Sequence, residues 1–355
     1  MSEHISVQTR SIDSFEEIDD SIRGAHIETV QLERGRLRGH LTHMSVGGLP
    51  VAAGAFSIGL RARGVLSDDR VTIAVLTGAT GRVTQWSYET RPADVLVMPA
   101  GVDHDARFYS GASYAVISLD QADIDAAFAT EPRLRELGTW PKRHFRAEKH
   151  GGEYVIRRLR DIIARLAAPD VKWNADAAEF WKQSIIGTMT TTILASTPSE
   201  LDGPLLSAKR IVRKVEDYIE AAGSKPVHIS ELCREVHVSR RTLHRAFYEA
   251  VGIGPVAFLR CRRLCSVHSI LRASDPATTT IADVAMQQGF LNLGRFSGYY
   301  RSLFDESPSR TLAGFDRPTP RCGDSPQIQR ALPDSAEIRP EWRQALTHIG
   351  APEQP

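Results

Sequence analysis

Between Ser239 and Arg245 the chain reads Ser-Arg-Arg-Thr-Leu-His-Arg, a short run dense in hydrogen-bond donors. Arg241, His244 and Arg245 are spaced i, i+3, i+4 and share one helix face, opposite Leu243 and Phe247. A guanidinium can donate two parallel hydrogen bonds to guanine, and a neutral imidazole can accept or donate at a base edge. A solvated basic helix is the plainer alternative, and the flanking elements weigh against it. Upstream, Ile229–Val236 predicts a short helix capped by Ser230 with Leu232 and Val236 buried. His237-Val238 then makes a tight turn and Ser239 caps the second helix. Two helices, a short turn and a basic second helix form a helix-turn-helix. In that geometry the first turns of the second helix enter the major groove, which presents Arg240, Arg241, His244 and Arg245 to base edges.

The pattern recurs. Thr280–Phe290 predicts another short helix ending at Gly289, a residue suited to a left-handed cap. Asn292 is placed to cap a following helix with Phe296, Tyr299, Tyr300, Leu303 and Phe304. Between the units, Pro255 opens a helix running to about Arg272, roughly 25 Å at 1.5 Å per residue. That spacer puts the two second helices about 34 Å apart, matching successive major grooves on one face of a duplex.

On these residues the segment 206–313 resembles the DNA-binding domain of the AraC/XylS transcriptional regulators. The resemblance is carried by Ala282, Ala285, Gly289-Phe290, Phe296-Ser297, Phe304 and Ser307-Pro308, with Pro255, Leu259-Arg260 and Arg263-Leu264 matching the linker helix. It implies that Arg241, His244 and Arg245 read bases. The second unit departs from the pattern, with Leu293, Gly294 and Gly298 where polar or basic readers are common. Asn292, Arg295, Ser297 and Arg301 are left as its contacts, Arg301 on a phosphate. The first unit is thus expected to supply most of the sequence specificity, and the second to hold the backbone.

From Thr29 to about Leu119 short apolar runs alternate with Gly, Pro and Asp clusters, which predicts an antiparallel sandwich or barrel. The family resemblance implies a cupin-like sensor here, and Pro99-Ala100-Gly101-Val102-Asp103-His104 resembles the cupin PxGxxH motif. The companion His-x-His…Glu motif is absent, since His40 and His43 are three positions apart. No metal and no cofactor are therefore expected. Gln31–Gly39, with Gly64-Val65-Leu66, resembles the sensor half of regulators of the ethanolamine-operon activator type. Arg61, Arg63 and Trp86 are candidates for binding an anionic or flat ligand, with an exposed sheet-face role for the arginines beside that reading; His104 is more simply a hydrogen-bonded imidazole at a strand-entry turn, with a ligand-pocket role as its alternative. After Asp120 the period becomes helical, with stripes over Glu153–Leu166 and Ala175–Ala195 that exceed what one sheet needs and so point to a homodimer.

Composition agrees with this division. The net charge of +1 over 355 residues is a cancellation: 1–204 carries 23 basic and 27 acidic residues, 205–315 carries 16 and 10, and 316–355 carries 5 and 6. A basic block joined to an acidic one fits a nucleic-acid module attached to something else. Cys233, Cys261, Cys265 and Cys322 lack CxxC spacing, so no disulfide framework or zinc site is expected. No apolar run approaches a membrane span, and the first twenty residues are acidic with no signal core, which predicts no membrane association and a cytoplasmic, nucleoid-associated bacterial protein. The expected architecture is α+β and multidomain. It comprises a cupin-like β-sandwich or barrel with a helical extension (1–196), a linker (197–205), an all-α double helix-turn-helix (206–313) and a Pro-rich irregular tail (314–355). The expected function is sequence-specific binding of double-stranded promoter DNA as an activator, with RNA polymerase and a small-molecule effector as partners. A cupin-type metal-dependent enzyme with an accessory DNA-binding domain is the alternative, although no nucleophile elbow or phosphate loop supports catalysis.

Overall fold

Runs of β-branched and small apolar residues, broken by Gly, Pro and Asp, fold as strands through the first third of the chain. A computed structural model describes residues 4–314 apart from positions 20, 23, 87, 130, 132–134, 136–143, 169–172, 198, 200–202 and 224–226. The expected tail lies outside the described residues except for Gly314. The strands are β1 (Ile5–Ile12), β2 (His26–Gln31), β3 (Gly39–Val46), β4 (Leu49–Phe56), β5 (Leu60–Val65) and β6 (Val71–Ala79). They continue with β7 (Val83–Gln85), β8 (Tyr88–Thr90), β9 (Val95–Met98), β10 (Asp103–Phe108), β11 (Ala112–Leu119) and β12 (His144–Phe145). They form an antiparallel seven-stranded sheet, β1-β3-β4-β11-β6-β9-β12, and an antiparallel five-stranded sheet, β2-β5-β10-β7-β8. Gly47 and Gly48, both at positive φ, supply the tight turn that pairs Val46 with Leu49. The two sheets face each other as a sandwich, with Phe56 edge-on to Phe108 at 5.1 Å across the interior.

The other face of the seven-stranded sheet, with Val51, Ile73, Val75, Val97 and Ile117, is covered by helices α2 (Gln121–Ala127), α3 (Lys149–Leu166) and α4 (Ala175–Ala195). Leu159, Ile162, Ile185, Met189 and Ile193 bury their side chains there. The helical stripes are therefore largely taken up by the chain's own sheet; Tyr154, Phe180 and Leu194 are what they leave exposed.

The remaining helices are α1 (Glu16–Asp19), α5 (Gly203–Ala222), α6 (Ile229–Glu235), α7 (Arg240–Val251), α8 (Pro255–Ala273), α9 (Ile281–Gln287), α10 (Leu293–Phe304) and α11 (Pro308–Ala313). Helices α5 and α8 lie against the five-stranded sheet, α1 packs beside β2 and the rest pack on α5, α8 and one another, and the core runs continuously from Leu60 and Ala106 to Phe258 and Tyr300. Strand alternation explains what happens at that seam. Leu60, Ala62 and Ala106 point inward, so Arg61, Arg63, Asp103, Asp105 and Arg107 point outward, and α5 lies over them.

Arg61, 5% exposed, donates from Nε to Asp105 Oδ1 (3.0 Å) and from both terminal nitrogens to Glu216, with Nη2 to Oε2 at 3.0 Å. Arg63 reaches Glu216 Oε2 (3.4 Å) and Asp217 Oδ1 (3.1 Å); Arg213 pairs with Asp103 at 2.9 Å. Lys209 lies 3.6 Å from Asp105, and burial pushes its pKa down to about 8 despite that carboxylate. Burial raises the Glu216 carboxyl, opposed by the Arg61 charge. Burial would raise Asp105 too, but Arg61 and Lys209 hold it well below the usual carboxylate range.

A second set of contacts joins α8 and the end of α10 to α1 and β2. Arg262 donates to Glu28 at 2.9 Å, Arg272 to Asp13 at 3.1 Å, and Gln31 Nε2 to the Leu303 carbonyl at 2.8 Å. His268 sits between Glu16 (2.6 Å) and Glu306 (3.3 Å), with Asp13, Glu17, Arg36 and Arg272 close by.

Replacing Glu216 by Ala leaves a buried guanidinium short of a counter-ion, so the variant should lose about 3–5 kcal/mol of stability in denaturant melts. An Arg61→Met/Glu216→Leu pair should regain only part of it, because Asp105 loses Arg61 and keeps Lys209. The His268 pKa is raised: burial lowers it, but the hydrogen bonds to Glu16 and Glu306 outweigh burial. Its contribution is therefore full below about pH 6.5 and is lost as pH rises through the folded value. Glu16 and Glu306, held low by His268 against their burial, act oppositely and lose their contribution on acidification. As pH climbs from about 6 towards 9, the stability advantage of the wild type over His268→Asn should shrink. Parallel melting curves across that range would contradict the assignment.

Candidate nucleic-acid interface

The second helix of the first unit begins as its sequence dictates. Ser239 Oγ accepts from the Thr242 amide at 3.1 Å, and His237 at positive φ makes the turn that precedes it. Leu243 and Phe247 are buried, which turns Arg240, Arg241 and Arg245 to solvent and leaves His244 half-buried. Arg245 lies 3.7 Å from Glu249 along the helix; the Arg240 and Arg241 side chains have no hydrogen bond or ion pair among the described residues. The first helix differs from expectation at one point. Its cap is His228, whose Nδ1 accepts from the Ser230 amide at 3.3 Å and also meets the Ser230 hydroxyl, so Ser230 lies inside the helix. An imidazole acceptor at a cap is outside the usual Ser/Thr/Asp/Asn signal, and for that reason the sequence pattern placed the boundary two residues late.

Helix α7 ends at Gly252 in the left-handed conformation, and Arg107 donates from Nε to the Val251 carbonyl at 2.8 Å. A cation at a helix C-terminus complements both the free carbonyl and the dipole. Burial lowers the Arg107 pKa to about 10, still charged at neutral pH. The N-terminal sandwich thus holds the rear end of the first reading helix.

The second unit is built the same way. Thr280 caps α9, Gly289 supplies the positive φ after it, and Asn292 Oδ1 accepts from the Arg295 amide at 2.9 Å. Phe296, Tyr300, Leu303 and Phe304 are buried, and Tyr300 donates its hydroxyl to Thr311 Oγ1 at 2.8 Å. Arg295, Ser297 and Arg301 are exposed, but the Ser297 hydroxyl donates back to the Leu293 carbonyl at 3.0 Å. Helix α8, 19 residues long, spaces the two units, and Arg260 on it covers the Tyr299 ring at 4.3 Å.

Of the nine DNA-contact candidates, eight fall on the caps and first two turns of α7 and α10, with His244 half-buried, and Arg301 lies in the last turn of α10. The four ligand candidates do not converge. Arg61 and Arg63 face α5 and are engaged by its carboxylates, while His104 and Trp86 meet at 6.4 Å on the other side of the same sheet. His104 Nε2 bonds Gln85 at 3.2 Å, its Nδ1 has no partner among the described residues, and burial lowers its pKa to about 4, so it is neutral. Trp86 donates from Nε1 to the Asp103 carbonyl at 2.9 Å. His43, a residue of the metal alternative, bonds the Ser21 carbonyl at 3.0 Å, and among the described residues no three His, Cys, Asp or Glu side chains form a metal-holding group. Among those residues no helix is long and apolar enough to cross a membrane.

Arg107, Lys209 and Glu216 were missed as functional residues. Each looks like surface charge in its own segment, and only strand alternation around Arg61 hints that a partner must cover that face.

A family model described as a helix-turn-helix domain matches residues 232–314. The chain is 36% identical over 102 residues to the probable thc operon regulatory protein of Rhodococcus erythropolis, covering 29% of this chain and 31% of that one. It is 36% identical over 102 residues to the XylDLEGF operon transcriptional activator 2 of Pseudomonas putida, covering 28% and 64%. To the HTH-type transcriptional activator RhaS of Klebsiella pneumoniae (strain 342) it is 26% identical over 182 residues, covering 50% and 60%. In each case the chain spans less than two thirds of the relative. With two capped helix-turn-helix units, a spacer helix and this sequence similarity in the same segment, the chain carries a DNA-binding domain of the AraC/XylS family of transcriptional regulators.

Proposed function

We propose that the protein is a sequence-specific transcriptional activator, gripping promoter DNA with α7 and α10 in successive major grooves and recruiting RNA polymerase. The carrying observation is the exposed start of α7, where Arg240, Arg241 and Arg245 stand clear of the core beside a half-buried His244, on a helix fixed at both ends. Ser239, Asn292, Arg295, Ser297 and Arg301 complete the contacts, the last on a phosphate. The division of labour is a sensor and dimerisation domain (1–196), a linker (197–205) and the DNA-binding domain (206–313). Its place is the bacterial cytoplasm, on the nucleoid.

The sandwich would act as the sensor through the ion pairs of α5. A small molecule entering beside His104 and Trp86 would strain β5 and β10, the strands that also carry Arg61, Asp105 and Arg107. Arg61 and Arg63 belong to this coupling rather than to ligand contact, because Glu216 and Asp217 occupy them. A homodimer would use Tyr154, Phe180 and Leu194, the apolar side chains that α3 and α4 leave in solvent. A metal-dependent activity gains no support from the described residues.

Genome-wide mapping of bound DNA should return a shared motif upstream of a small set of genes; binding spread evenly over all sequences would refute the proposal. At the recovered site, Arg241→Ala should weaken binding by about 1–3 kcal/mol and relax preference at one base pair. A uniform loss on every sequence would instead make Arg241 a phosphate contact.

A further inference from the structure

The two units align in register through their caps and cores. Ser239 and Asn292 are the caps, Leu243 and Phe296 the buried fourth helical residues, and Phe247 and Tyr300 follow one turn later. This register sets Leu293 against Arg240, Gly294 against Arg241, Ser297 against His244 and Gly298 against Arg245. Every long polar side chain on the α7 reading face is thus replaced on α10 by an apolar or minimal one. Of the polar residues that remain, Asn292 and Ser297 direct their oxygens to the helix backbone, while Arg295, set against Thr242, and Arg301, in the last turn, are exposed.

The turn between α9 and α10 is one residue longer than its counterpart. In the first unit Val238 packs against the core just before the cap. In the second, Phe290 fills that role with its ring 5.1 Å from Phe296, and the additional residue, Leu291, is pushed out to 89% exposure. Leu293 is also exposed. The start of α10 therefore presents two leucines to solvent on the surface that would enter the groove. A Cβ on Gly298 would meet nothing within 4 Å, so internal packing does not call for glycine there, although glycine weakens a helix relative to alanine. A bare helix face allows the backbone to lie closer to the bases, within reach of a short side chain.

We propose that α10 reads thymine through its C5-methyl group, with Leu293 as the specificity-determining contact and Leu291 flanking it, so that its half-site is rich in A·T pairs. Apolar contact to the thymine methyl is an established form of major-groove readout, and it removes both apolar surfaces from water. The proposal rests on the reading of α7 and α10 as groove-entering helices, and it replaces a purely backbone-holding role for the second unit.

The test uses the full chain and a duplex selected from a randomised pool, at fixed salt. Single thymines are then replaced by deoxyuridine, which removes only the methyl group. One or two replacements in the α10 half-site should each weaken binding about fourfold, the value of one buried methyl-sized group, whereas replacements under α7 should have no effect. Leu293→Ala should lose about the same factor on the thymine duplex and become insensitive to deoxyuridine. Leu291→Ser serves as the second variant and should show a smaller loss with the same pattern. A selected half-site without thymine preference, or one indifferent to deoxyuridine, overturns the proposal. So do variants that keep operator affinity but lose activation, which would assign the leucines to a protein partner such as RNA polymerase. If no sequence at all is selected, the DNA-binding reading fails with it, an outcome distinct from specific binding without methyl sensitivity.

Discussion

Arg61 and Glu216 are 155 positions apart and share a contact closed to water, and the packing of α5 on the five-stranded sheet depends on it. Neither charge is tolerable alone at that depth, because desolvation of an isolated ion costs more than a domain can spare. Docking α5 on the five-stranded sheet is therefore conditional on the pair forming, together with Asp105 and Lys209 behind it. Separation in water is not correspondingly unfavourable, since each ion regains its hydration. A buried ionic seam of this kind favours one register of docking strongly while adding little net adhesion, a property suited to an interface that must hold a defined geometry and still be released.

Three attachments share the load with it. Arg107 holds the end of α7, His268 and Arg272 hold the end of α8, and Gln31 holds the end of α10. Every one acts at a helix C-terminus or on the spacer. The N-termini of α7 and α10, which carry most of the proposed DNA contacts, have no such attachment to the sandwich among the described residues. The sandwich thus fixes how the two reading helices stand relative to each other while leaving their working ends free. Strain on β5 or β10 from inside the sandwich would reach α5 and α7 directly, since Arg61, Asp105 and Arg107 are on those two strands. On the proposed function, this is a short physical path from a ligand in the sandwich to a reading helix.

Most of the DNA-binding module was legible because its signals are local. Caps act over three residues, core faces repeat every three or four, and Gly289 marks its own left-handed turn. The sandwich strands between Thr29 and Leu119 were legible for similar reasons, through short apolar runs broken by Gly, Pro and Asp, whereas β1 and β12 lie outside the range those signals covered. The ion seam was not, because pairing across 155 positions leaves no periodic trace. Arg61 and Arg63 were noticed as basic residues on a strand, but an outward-facing arginine looks the same whether water, a ligand or a helix covers it. The helical stripes of α3 and α4 were legible as apolar, yet the sequence could not say that the chain's own sheet takes up most of them. His228 shows the same limit at short range: the chemistry of a cap was present in an unusual residue.

The asymmetry of the two reading helices follows from the bracing. Once α7 has engaged its half-site, α8 and the sandwich hold α10 near the adjoining groove, so the second contact forms at a high effective concentration and needs little affinity of its own. Long cationic readers on α10 would add phosphate attraction on every sequence, raising non-specific binding along with specific binding. Apolar and minimal residues at Leu293, Gly294 and Gly298 limit that to Arg295 and Arg301, and on the proposed reading they contribute discrimination with little general grip. The arrangement works only while the brace is intact: a second unit built this way loses most of its value if α10 can wander. A rigid frame makes a weak, selective second arm sufficient, and it also makes that arm the part of DNA recognition most exposed to any signal that loosens the seam at Arg61 and Glu216.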